Sequence, residues 1–299
     1  MQRGVISFCN LNKQTHRHQA QTLMHGNVGT DARTRLIVGL REFINALPWK
    51  LFPGVCRFCD QPSGHARDLC DICDSDLPRS VAACRRCALP LARAAATCSR
   101  CATQAPNLDR TIAALMYAPP VDALIADVKF HGRLSTAPLL AALLADAVQL
   151  GYAKDTLPQA VVPVPLSLRR LMHRGHDQAE LLARQTLARL RADARSDGCN
   201  PRPTPQLANG LLQRTKHTRP QSGETFAARQ RNLTNAFSGP PNAFKASASP
   251  PFTHVALVDD VFTTGATLNA AALALRAVGM TRVDAWVVAR TPAERQLGD

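Results

Sequence analysis

From Arg110 onward, short apolar runs alternate with longer stretches in which the hydrophobic positions recur at helical spacing. Thr111–Tyr117, Ala160–Val164, Val255–Val258 and Val283–Ala289 are compact and apolar, and predict strands. Val121–Phe130, Thr136–Leu150, Gln178–Arg191 and Leu268–Val278 predict helices, the second with Leu139, Leu140, Leu143 and Leu144 on one face. Asp177 and Glu180 suit a capping box at the start of the third helix. Such alternation argues an α/β fold, a mostly parallel sheet with helices on both faces. Two stretches interrupt it: 193–208, with three prolines and few apolar residues, and the Pro/Ala/Ser-rich 239–252, both expected to be loops. Ahead of this region, Leu36, Ile37, Leu40, Phe43, Ile44 and Leu47 predict a short amphipathic helix within 33–52 that packs on the domain. Residues 1–32 are polar and without periodicity, an expected disordered leader in which Met24 is an alternative in-frame start.

Residues 53–106 follow a different rule. Their large apolar side chains are Val55, Phe58, Leu69, Ile72, Leu77, Val81, Leu89 and Leu91, too few for an independent core. The same stretch holds eight of the ten cysteines as four Cys-x-x-Cys pairs, Cys56/Cys59, Cys70/Cys73, Cys84/Cys87 and Cys98/Cys101, each starting 14 residues after the last. Two thiolates of one tight turn can face one ion, and two such turns complete a tetrahedron, so the repeat predicts two structural zinc ions with closed shells. Pairing first with second and third with fourth closes the shorter loops; spacing alone also permits the interleaved arrangement. Disulfides are disfavoured because no secretory signal pattern is visible, and redox catalysis because four equally spaced pairs read as ligands. Cys9 and Cys199 lie outside the repeat.

The densest chemistry lies in VALVDDVFTTGATL, residues 255–268. A valine-rich run suits a strand buried on both faces of a parallel sheet, and it delivers Asp259 and Asp260 to the carboxyl edge where such sheets bind ligands. The turn Thr263, Thr264, Gly265, Ala266 and Thr267 then supplies hydroxyls, a flexible glycine and a helix N-terminus, a suitable cradle for a phosphate. This motif resembles the ribose-phosphate site of the type I phosphoribosyltransferases. The resemblance implies that Asp259 and Asp260 take the ribose hydroxyls of phosphoribosyl pyrophosphate (PRPP) as the catalytic pair, that Thr263–Thr267 hold its 5-phosphate, and that Mg²⁺ accompanies the substrate.

Three further stretches stand in order with it. KFHGR spans 129–133, PVPLSLRRLMHRGHDQ spans 163–178, and Arg214, Lys216, Thr218, Gln221, Arg229 and Asn232 form a third pattern. With the Cys-x-x-Cys ribbons, these look like the ComF family of competence-associated phosphoribosyltransferase-like proteins, GntX-type members included, over about residues 36–291. Three family positions differ: His176 and Asp177 stand where Phe and Asn are usual, and Lys216 where a second Arg is usual. By this resemblance Arg169, Arg174 and Lys129 face the pyrophosphate, and Arg214, Lys216 and Gln221 belong to a flexible loop that closes over PRPP. The family also implies a role in DNA uptake, with single-stranded DNA and the competence helicase machinery as partners.

Composition adds direction. The formal net charge is +14, and eight thiolates with two Zn²⁺ would lower it to about +10. Such a surface favours polyanions: PRPP, nucleic acid, or both. Aromatic residues make up 5% of the chain, few for the stacking platforms of single-strand binders. No run of about 18 uncharged apolar residues is present, so a cytoplasmic protein without membrane insertion is expected. Two functions follow: a phosphoribosyltransferase acting on an unidentified nitrogen acceptor, or a non-catalytic single-stranded DNA-binding competence protein with PRPP as a ligand.

Overall fold

The computed structural model describes residues 54–64, 67–80, 82–93, 96–196, 203–215, 236–239 and 252–292. The leader expected at 1–32 and the helix expected within 33–52 lie outside the described residues, as do Lys216, Gln221 and most of 239–252.

Two short helices, α1 (Asp71–Asp76) and α2 (Ser99–Thr103), belong to the cysteine-rich segment. The remaining described elements are β1 (Arg110–Met116), α3 (Val121–Phe130), α4 (Ala137–Gly151), β2 (Ala160–Pro163), α5 (Leu168–Arg174), α6 (Gln178–Ser196), β3 (Gln206–Leu207), β4 (Gln213–Arg214), β5 (Phe237–Ser238), β6 (His254–Phe262), α7 (Ala266–Ala277) and β7 (Arg282–Arg290). Five strands form one parallel sheet in the order β1-β7-β6-β2-β3, and β4 and β5 make a separate antiparallel pair. The strands and helices expected from Arg110 onward are all present. Helix α6 runs on to Ser196, inside the stretch read as a loop, because Leu187 and Leu190 continue its buried stripe. Between β2 and α6 the motif at 163–178 contains α5, which buries none of its residues and so left no hydrophobic period to detect.

Side chains of β6 and β7 alternate between two cores through 255–258 and 285–288. Ala256, Val258, Trp286 and Val288 pack with α3, α4 and α6; Val255, Leu257, Ala285 and Val287 pack with α7 and the Phe237 hairpin. Helix α4 with the turn before it, Leu134–Gly151, is long and apolar enough to cross a membrane by length and composition, with 56% of it buried inside the protein. Its leucines pack in the first core, which accounts for that composition.

The cysteine-rich segment is built into this fold. It is two copies of one unit 28 residues apart: the Val55–Pro62 bridge matches Ala83–Pro90, and left-handed Asp60 matches left-handed Ala88. The first copy extends the α4 core through Cys56, Leu69 and Leu77; the second extends the α7 core through all four of its cysteines. Between them they cover the outer edge of β1, where Thr111 N–H donates to the Arg85 carbonyl (2.8 Å) and Met116 N–H to that of Pro78 (2.7 Å). An edge strand that would otherwise invite foreign pairing is thereby occupied.

The amino edge of the sheet is locked by a buried polar knot. Asp284, fully buried, accepts from Tyr152 Oη (2.6 Å), pairs with His254 Nε2 (2.8 Å) and with Arg282 (3.1 Å), and Trp286 Nε1 donates to Tyr152 Oη (3.2 Å). Burial alone would raise the Asp284 carboxyl, but the hydrogen bonds from His254 and Tyr152 and the charge of Arg282 outweigh it and hold it below the usual range. A carboxylate held low in the fold stabilises it above the unfolded value of about 3.9, and that contribution is lost as the pH falls below it. Asp284→Asn should therefore cost roughly 1–3 kcal/mol near neutral pH and flatten the acid limb of the stability curve. Urea unfolding at stepped pH values checks this; superimposable curves for variant and parent would contradict it.

Candidate functional site

At the carboxyl edge, β2 stops pairing with β6 at Pro163 opposite Val258, while β7 stays paired to β6 as far as Phe262 opposite Arg290. The sheet splits there, and Asp259 and Asp260 sit at the split. A parallel sheet binds ligands at such a crevice. Strand β6 is longer than the apolar run suggested, because the acids follow its alternation: Asp260 is buried and Asp259 half-buried.

Each acid is held. Lys129, at the end of α3, reaches both oxygens of Asp260 (3.1 and 3.0 Å), and Gln178 Nε2 donates to Asp260 Oδ2 (3.2 Å). Asp259 Oδ1 accepts from the Asp260 N–H (2.8 Å). Desolvation, with the neighbouring Asp260 carboxylate adding to it, pushes Asp259 up to about 7. Two carboxylates kept this close invite a cation or hydroxyl donors to relieve them.

The basic residues approach from α5 and β4. Arg174 lies over the Phe130 ring (5.2 Å), its Nη1 buried and unpartnered, and desolvation lowers its pKa while the nearby Asp260 charge opposes that shift. Arg214 lies over Phe237 (5.2 Å), also lowered by burial, in the field of Arg170 and Asp259. Arg170 and Arg174 are one helical turn apart and share a face; Arg169, the candidate read from the motif, is exposed on the adjoining face. Lys129, expected to face the pyrophosphate, pairs with Asp260. Arg214, assigned to a flexible loop, sits in a short strand at the base of that segment. Asp177 has a structural duty: its Oδ1 caps α6 through the N–H groups of Ala179 (2.9 Å) and Glu180 (3.1 Å), and its Oδ2 accepts from Leu166 N–H (3.2 Å). Glu180 does not complete the capping box; its carboxylate accepts from Arg184 and Asn209. His176 ties the Arg174 carbonyl (2.9 Å) to that of Val128 (2.8 Å), which fastens α5 to α3.

Beyond the acids the chain turns through Thr263, Thr264 and Gly265 into α7. Gly265 has φ +83°, and a Cβ there would meet the Phe262 ring at 2.5 Å. Glycine is required on both counts. Ala266 and Thr267 open the helix, where N–H groups have no partner within the helix; that of Ala266 donates to Thr264 Oγ1 (3.4 Å).

The eight cysteines gather as Cys56, Cys59, Cys70 and Cys73, and as Cys84, Cys87, Cys98 and Cys101, the sequential pairing. In each group the sulfurs lie within 4.8 Å of one another, with Cys59–Cys70 and Cys87–Cys98 both at 3.7 Å. A tetrahedron with Zn–S of about 2.3 Å has sulfurs about 3.8 Å apart, so the geometry fits zinc. The electrostatics agree. Burial opposes ionisation of Cys56 and Cys84, but backbone N–H donors win and lower them to about 6 and about 7; desolvation and the adjacent sulfurs push Cys73 and Cys101 far up. Four thiolates can coexist here only around a cation.

Residues 49–102 match the double zinc ribbon domain and residues 182–298 the phosphoribosyl transferase domain. The chain is 37% identical over 191 residues to competence protein F of Haemophilus influenzae, covering 62% of this chain and 75% of that protein. It is 31% identical over 190 residues to the DNA utilization protein YhgH of Escherichia coli K12, covering 62% and 74%. The chain belongs to the competence protein F family, a phosphoribosyltransferase-type domain carrying a double zinc ribbon.

Gly265→Ala should displace the Phe262 ring and the turn, and if the turn holds a phosphate as the motif leads one to expect, should weaken PRPP binding by about tenfold or more. Calorimetric titration checks this, and parental affinity would contradict the turn's assignment. Stripping zinc with a strong chelator should release about two ions per chain and unfold residues 54–103 first, as read by limited proteolysis; an unchanged cleavage pattern would contradict a structural role.

Proposed function

We propose that this protein is a phosphoribosyltransferase that binds PRPP with Mg²⁺ in the crevice between β2 and β6, transferring phosphoribosyl to a nitrogen acceptor with release of pyrophosphate. The observation that carries this reading is the convergence of two adjacent acids, a glycine turn with a helix N-terminus, and several cations at one sheet edge. The turn 263–267 takes the 5-phosphate. Asp259 and Asp260 accept hydrogen bonds from the ribose hydroxyls, with Lys129 and Gln178 fixing Asp260. Arg174, whose buried Nη1 lacks a partner, and Arg170 face the pyrophosphate. A Mg²⁺ ion bound with the substrate would neutralise part of the pyrophosphate charge.

The acceptor nitrogen forms its bond to the anomeric carbon as the carbon–oxygen bond to pyrophosphate breaks. The electron pair leaves with pyrophosphate, and positive charge develops on the ribose. The carboxylates below the ring stabilise that charge and the arginines stabilise the leaving group, so positioning and preorganised charge supply the rate. Zinc-bound thiolates suit a reducing compartment, consistent with a cytoplasmic location.

A second reading is binding of single-stranded DNA with PRPP as a ligand only. It is favoured by the words competence and DNA utilization in the relatives' names, and by exposed Phe130 and Met172 beside Arg169 and Arg133.

Titration calorimetry with Mg²⁺ and PRPP separates these readings. The parent chain should bind, and an Asp259→Asn/Asp260→Asn variant should bind at least about a hundredfold more weakly. Equal affinities would remove the acids from the site. Binding to the parent without pyrophosphate release across nitrogen acceptors, together with a steeply salt-dependent DNA affinity, would favour the second reading.

A further inference from the structure

Among the described hydrogen bonds, those that tie a ribbon to the turn after β6 come from the second ribbon and the residues beside it. Arg290, at the end of β7 and only 2% exposed, donates through Nη1 to the carbonyls of Phe262 (3.0 Å), Thr263 (2.7 Å) and Thr291 (2.8 Å). Its Nε donates to the carbonyl of Cys87 (2.8 Å), one of the second cluster's cysteines, and its guanidinium lies 4.6 Å from the Phe262 ring centre. Arg100, on α2 between Cys98 and Cys101, donates through Nη2 to the Thr264 carbonyl (3.1 Å). Asn107, just beyond the ribbon, donates from its backbone N–H (2.7 Å) and its side chain (3.2 Å) to Asn269 in the first turn of α7. These polar bonds span a cleft lined by Cys98, Arg100, Asn107, Thr264, Gly265 and Arg290, and add direction to the apolar packing of the ribbon's cysteines against Phe262 and α7. The first ribbon anchors elsewhere, through Arg67 to Asp146 of α4 and Arg57 to the Ser135 carbonyl.

Peptide geometry turns this clasp into a functional statement. The peptide bonds here are trans, so each carbonyl points opposite to the following N–H. Tying back the carbonyls of Phe262, Thr263 and Thr264 therefore faces the N–H groups of Thr263, Thr264 and Gly265 away from the ribbon. We propose that the second ribbon is a working part of the phosphate site, its Arg100 acting with Arg290 as positioning residues that aim the turn's N–H groups at the ligand's 5-phosphate. Electrostatics fit: four thiolates around Zn²⁺ carry a net charge of about −2, a counter-charge for a guanidinium buried without any carboxylate partner in its described contacts. The two cations behind the turn also favour an anion in front of it.

This inference rests on the PRPP reading of the turn, and its test separates the two. Arg100→Ala keeps every cysteine and removes an exposed side chain; Arg67→Ala loosens the other ribbon and serves as the control. Amide hydrogen exchange of residues 263–267 is measured in the zinc-loaded full chain without ligand, then Mg·PRPP affinity by calorimetry. Arg100→Ala should raise exchange in the turn about fivefold and weaken PRPP about tenfold, while Arg67→Ala leaves both within about twofold. Turn exchange unchanged in Arg100→Ala, or raised equally in Arg67→Ala, overturns the proposal. A parent chain that binds no PRPP overturns the reading of the site instead, and the exchange data still decide whether the ribbon orders the turn.

Discussion

Everything at the candidate site depends on β6 being buried on both faces. A central parallel strand favours apolar side chains where both neighbours pair with it, so a charge that must meet a ligand is most readily placed where a neighbour leaves it. Strand β2 departs at Pro163, and the next two residues of β6 are acids. Their position is thus a consequence of the sheet's order: the helices α3 and α6 that cover one face end or begin beside the split, and bring Lys129 and Gln178 to Asp260. The polar knot around Asp284 holds the opposite end of the same layer, so the two charged clusters cap an otherwise apolar sheet.

The zinc ribbons extend this logic. Each unit buries too little apolar surface to fold alone, and each is fused to one face of the sheet. Together they also occupy the open edge of β1. Metal, edge protection and core are one construction, which explains why a cysteine repeat precedes this domain in the chain and yet ends beside its ligand turn.

Much of this was legible in the sequence because it rests on periodicity and spacing. The two-sided apolar runs announced the parallel strands, the Cys-x-x-Cys spacing announced the clusters, and the acid pair followed by a glycine turn announced the site. What escaped detection lacks a period or depends on tertiary contact. Helix α5 buries none of its residues, so no hydrophobic period marked it, and which of its arginines turns inward depends on a face the sequence does not show. Gln178 was read as a helix start, and Arg290 lay just past the strand expected at Val283–Ala289. Neither residue type signals its role; each acquires it from a partner far away in the chain, Asp260 in one case and the Cys87 carbonyl in the other. The 28-residue repeat of the ribbons was visible only as its half, the 14-residue spacing of cysteine pairs.

The central claim is that one ligand spans the acids and the turn, its 5-phosphate on one side and its pyrophosphate on the other. Phosphorus-31 NMR of Mg·PRPP titrated with the zinc-loaded chain tests it most directly, because the three phosphorus atoms resolve separately. The account predicts that the 5-phosphate resonance shifts together with both pyrophosphate resonances, and that Gly265→Ala selectively reduces the 5-phosphate change. Perturbation confined to the pyrophosphate would contradict it, and would mean that PRPP meets the protein only as a polyanion on a basic face.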